Sequence, residues 1–116
     1  RKMNTIIAII DRHHQQADNI VQLLTEKRVV NYRSYTYSLQ VHETCVDTHT
    51  TPGNFLQKNS ILILINIGVR YDNARQLINE RDITVYRVDT LEDLQKLLQL
   101  LEDHRDPSAY LADLDE

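Results

Sequence analysis

The stretch Asp11-Arg12-His13-His14 follows directly on an apolar run and holds the densest group of side chains that could bind a metal or phosphate or move a proton. Carboxylates and neutral imidazoles are both ligands for divalent ions, and histidine changes its charge near neutral pH. The same four residues also suit the start of a helix, where an aspartate complements the dipole and two adjacent histidines diverge into solvent. That solvated, capping role is the simpler one.

A second group is His42, Cys45, Asp47 and His49. The spacing His-x-x-Cys-x-x-x-His matches half of a zinc site, with His42, Cys45 and His49 as the candidate ligands. Structural zinc takes four ligands, usually in two close pairs, and a remote pairing with His13 or His14 is open as a way to complete it. A free cysteine is otherwise a small, buried, apolar residue. Phosphate-loop chemistry has no support: the chain has two glycines, at 53 and 68, and none follows the first apolar run. No serine stands on a recognisable nucleophile turn. No cofactor is expected.

These groups are positioned by a β-α alternation. Thr5 to Ile10 is almost continuously β-branched, as in strands buried on both faces of a parallel sheet. Ala17, Ile20, Val21 and Leu24 then recur at helical spacing. Val29 to Tyr37 predicts a second strand at a sheet edge. Residues 38–58 give no clear element beyond the turn signal Thr50-Thr51-Pro52-Gly53-Asn54.

Ser60 to Ile67 predicts the central strand, and Asp72 or Asn73 caps a helix carrying Ala74, Leu77 and Ile78. Ile83 to Val88 alternates as an edge or half-covered strand. Asp89-Thr90 caps a last helix with Thr90 and Asp93 in capping-box spacing, and Leu91, Leu94, Leu98 and Leu101 form its stripe. Leu97 and Leu100 widen that stripe. With Leu101 they are candidates for an interface with a partner or a second copy, against the plainer expectation of deep burial.

The fold expected is a small three-layer α/β, Rossmann-like and receiver-like domain with a four-stranded, mainly parallel sheet in the order β-α-β-x-β-α-β-α. Ligands in such sheets collect outside the carboxyl ends of the strands. That edge gathers Asp11, His13 and His14 from the first strand, Asn66, Gly68, Arg70 and Asp72 from the third, and Asp89 and Thr90 from the fourth. Asp11, His13, His14, Asn66 and Asp89 are therefore the ligand-binding candidates.

The run Ile61-Leu62-Ile63-Leu64-Ile65-Asn66, followed by a helix and Ile83-Thr84-Val85-Tyr86, resembles the middle of a response-regulator receiver domain. The resemblance implies acidic residues after the first strand, matched by Asp11, and a phospho-accepting aspartate ending the third, where this chain has Asn66. A carboxamide is a poor phosphoryl acceptor, and the later Thr/Ser, Lys and fifth strand have no match. The strand and helix order is also similar to that of a phosphotransferase-system B-type domain, whose cysteine after the first strand is replaced here by Asp11-Arg12. Both resemblances cover the architecture and not the motifs. They imply a regulatory or interaction module, because folds of this kind carry many functions.

A chain of 116 residues is one domain, placed at 3–105, with 106–116 as an acidic, solvated C-terminal tail. The start Arg1-Lys2-Met3 suggests excision from a larger protein. The net charge of −4 opposes a nucleic-acid surface, and Lys27 and Arg28 serve the end of a helix. A single cysteine fits a reducing, cytoplasmic setting. The longest apolar run is too short to span a membrane. The function expected is a non-enzymatic regulatory or protein-interaction domain, self-associating or bound to neighbouring domains of its parent chain. The rival is a small metal-dependent or phosphoryl-handling enzyme using Asp11, His13, His14 and Asp89.

Overall fold

Isoleucines in unbroken succession bury both faces of a strand, so each side needs its own layer of cover. In the computed structural model, which describes residues 5–11, 13–29, 31–35, 57–67 and 72–113, β1 (Ile6–Asp11) and β3 (Ile61–Ile65) have that character. Ile7, Ile9, Leu62 and Leu64 pack to one side, with Ile78 of α2 (Asp72–Glu80) and Val85 of β4 (Thr84–Val88). Ala8, Ile10, Ile63 and Ile65 face the other, with Ile20 and Leu24 of α1 (Ala17–Glu26) and Leu94, Leu97 and Leu98 of α3 (Leu91–Glu102). The result is an α/β domain of three layers, with α2 on one side of a parallel sheet and α1 and α3 on the other.

β1, β3 and β4 run parallel, with β1 and β3 central, Ile10 opposite Ile65 and Ile65 opposite Val88. β2 (Asn31–Tyr35), shorter than the expected 29–37, pairs parallel to the free side of β1 and gives the order β2-β1-β3-β4. The chain therefore leaves β1 in one direction to reach β2 and later returns on its other side as β3. The junction between β1 and β3 is the switch point of the sheet, where crossovers diverge and leave a crevice.

Each of the three described α-helices ends on a residue in the left-handed region, and none of these residues is glycine: Arg28 (φ 62°), Asp82 (φ 52°) and His104 (φ 55°). Their backbone N–H groups donate to Thr25, Asn79 and Leu101, and the following residues Val29, Ile83 and Arg105 donate to Leu24, Ile78 and Leu100. This is the paired pattern of a Schellman ending, which is usually completed by an apolar contact. Val29 with Leu24 and Ile83 with Ile78 are buried in common clusters and supply it. At the end of α3 the corresponding residue is the exposed, charged Arg105, so that ending lacks the apolar lock.

Two expectations change. Leu97, an interface candidate, is 0% exposed among Leu94, Leu98 and the α1 residues, because α3 packs against both the sheet and α1. It offers nothing to a partner, whereas Leu100 and Leu101 are half-buried. The C-terminal stretch expected in solvent returns to the sheet. After a 3-10 turn at Ser108–Tyr110, Leu111 bridges antiparallel to Tyr86, and the Ala112 N–H donates to the Val85 carbonyl at 3.0 Å. Tyr110 packs on the α1/α3 side and Ala112 on the α2 side, so this segment straddles the outer edge of β4.

Candidate functional site

The register of the sheet decides which residues meet at its carboxyl edge. With Ile10, Ile65 and Val88 level, the residues that follow them, Asp11, Asn66 and Asp89, stand side by side. Asn66 turns away from the strand in the left-handed region (φ 54°), a conformation asparagine tolerates better than most residues, while its N–H still donates to the Val88 carbonyl at 2.8 Å.

Both carboxylate oxygens of Asp11 are engaged within the chain. Oδ1 accepts from the His13 backbone N–H at 3.0 Å, and Oδ2 accepts from Asn66 Nδ2 at 3.1 Å. The Asp11 carbonyl also accepts from the His14 N–H at 3.1 Å. The aspartate thus shapes the loop into α1 and ties it to β3. A neutral carboxamide beside it adds no second negative charge at the switch point.

His14 links the same loop to β4. Its Nδ1 accepts from the Gln16 N–H at 3.0 Å, and its Nε2 lies 2.8 Å from the Asp89 carbonyl oxygen. A nitrogen that accepts a backbone N–H carries no proton, so the ring proton sits on Nε2 and is donated to Asp89. Gln16 is the N-cap of α1 and makes no capping bond with its own side chain. His14 thereby satisfies a donor at the start of that helix.

The Asp89 carboxylate turns to Arg87, whose Nε is 3.2 Å from Oδ1. Thr90 next to it is the N-cap of α3 and accepts the Asp93 N–H at 3.1 Å. Of the five candidates, Asp11 with Asn66 and His14 with Asp89 are brought together in pairs. His13 contributes its backbone to the loop and is itself exposed.

Gln16 and Arg87 are partners that reading the sequence for reactive residue types does not find. Arg87 had a signal, because residues two apart at a strand end lie on one side.

Among the described residues, no group of three His, Cys, Asp or Glu could hold a metal ion. His42, Cys45 and His49 lie outside the described residues. Lys27, at the end of α1, pairs with Glu102 at 3.4 Å in a shallow groove also lined by Glu26 and Arg28, so charge there is mixed. No described helix is long and apolar enough to cross a membrane. Compared with protein-family models, curated proteins and solved structures, the chain matches none.

Proposed function

We propose that this chain is a non-enzymatic regulatory or protein-interaction module on a receiver-like frame, acting in the cytoplasm as part of a larger protein. Its partners are other protein chains, including a second copy of itself. The observation that supports this reading most is the bond between Asp11 and Asn66 at the switch point. A phosphoryl-accepting site would set a nucleophilic carboxylate there, with further acids to hold the metal that screens its charge. Here the position at the end of β3 carries a carboxamide, which is neither a nucleophile of that kind nor an anion. Its N–H is spent holding the neighbouring acid in place. The crevice then acts as a rigid junction between β1, β3 and β4, and recognition falls to the outer surfaces.

The full chain incubated with Mg²⁺ and acetyl phosphate, followed by intact-mass spectrometry, tests this. The expected result is an unmodified mass and an unchanged melting temperature on adding Mg²⁺. A phosphoryl adduct, or clear stabilisation by Mg²⁺, overturns it in favour of a phosphoryl-handling enzyme built on Asp11, His13, His14 and Asp89.

A further inference from the structure

We infer that the C-terminal segment, residues 107–112, exchanges between two copies of this chain, each segment closing the β4 edge of the other. The inference deepens the self-association named above and rests on that part of it.

Three observations converge. The segment docks as a separate unit: a short turn, the Leu111–Tyr86 bridge and the Ala112 to Val85 bond, with Leu111 still 55% exposed. Such a contact is complete in itself and is reproduced unchanged when the segment comes from another copy. Exchange of identical elements is a low-cost route to a dimer.

The connection is short. Only residues 103–106 separate the end of α3 at Glu102 from Pro107. Among the described α-helices, it also carries the ending whose apolar lock is missing. His104 must hold a left-handed φ of 55° while Arg105 takes the place that Val29 and Ile83 fill at the other two ends. A side chain with a Cβ pays a steric penalty in that region, which an extended connection removes. Short connections under strain favour exchange for this reason.

The edge itself needs cover. Val85 and Tyr86 are buried at β4, and the segment pairs with the strand edge that carries them, so removing it bares that edge. An uncovered strand edge pairs with whatever strand is offered. The segment seated there in the structure is the chain's own, and the identical segment of a second copy offers the same contacts.

The full chain bearing His104→Pro tests the exchange, since proline is fixed near φ −65° and cannot close the connection. Light scattering over a concentration series should show a dimer. His104→Gly, freed of the left-handed penalty, should lower the dimer fraction about tenfold relative to the unaltered chain. In dimers mixed from isotope-labelled and unlabelled chains, nuclear Overhauser contacts across the bridge between Tyr86 and Leu111 should run between copies.

A folded His104→Pro protein that stays monomeric at every concentration overturns the inference. So does a dimer whose Tyr86–Leu111 contacts all lie within one chain. Should the proline variant not fold, His104→Gly and the unaltered chain decide, and equal dimer fractions in the two overturn it. None of these outcomes bears on phosphoryl transfer at Asp11, so a failed exchange and a failed regulatory reading are told apart.

Discussion

Asn66 and Asp11 join the carboxyl ends of β3 and β1 through a single hydrogen bond of 3.1 Å, and this bond closes the switch point of the sheet. Asn66→Asp converts a donor into a second anion at that distance. The bond is lost and like charges face each other, which is expected to cost about 1–3 kcal/mol. Aspartate tolerates the left-handed backbone at 66, so the loss reports the charge pair and not the backbone. Mg²⁺ should restore part of it, because two adjacent carboxylates attract a hard cation. Urea unfolding with and without Mg²⁺ measures both effects. A variant as stable as the parent without Mg²⁺ would show that the bond contributes nothing.

His14 joins the β1–α1 loop to β4 through two bonds that require opposite roles from its two nitrogens. His14→Ala leaves the Gln16 N–H and the Asp89 carbonyl without their partners, a loss of roughly 1–2 kcal/mol, or several degrees in melting temperature. Long-range ¹⁵N correlation spectra of the parent at neutral pH should show the proton on Nε2. A proton on Nδ1 would contradict the Gln16 bond.

How much of this was legible depended on whether the information lay along one element or between two. The continuous isoleucine runs of β1 and β3 announced strands covered on both faces, because side chains that must all be apolar leave no polar alternation. The strand-end cluster followed from the position of each run's end, since flush parallel strands necessarily set Asp11, Asn66 and Asp89 abreast. The helix endings were hidden, as Arg28, Asp82 and His104 fill positions where glycine is the usual signal. The return of the C-terminal segment was hidden as well. It is held by the Leu111–Tyr86 bridge, the Ala112 to Val85 bond and the half-buried Tyr110 and Ala112, a pattern with no periodicity. The breadth of the α3 stripe was visible, but not its cause, which is that α1 lies beside α3 on the same face of the sheet.

That placement gives Leu97 and Leu100 different fates on substitution. Leu97→Ala opens a cavity in the layer between the sheet, α1 and α3, and should cost about 2–5 kcal/mol. Leu100 is half-buried, and Leu100→Ser should cost less than about 1 kcal/mol. Thermal melts of the two single variants check the contrast. Equal losses would mean that the outer side of α3 is packed as tightly as its inner side.

Tyr86 supplies a pH dependence whose sign is fixed by its surroundings. Burial, with the nearby Asp106 carboxylate as the smaller cause, raises its hydroxyl above the ordinary 10.0. In the unfolded chain the hydroxyl titrates at that ordinary value, so below it both states hold the proton and the full stability is present. As pH rises past it the unfolded chain releases its proton first, and stability falls until the folded hydroxyl also titrates. Urea unfolding in steps from about pH 9 to about pH 11.5 should therefore show a decline that Tyr86→Phe reduces. Asp106→Asn should reduce it too, by less, because charge is the second cause and burial the first. An alkaline decline identical in the parent and in Tyr86→Phe would mean that this hydroxyl is not shielded from water in solution.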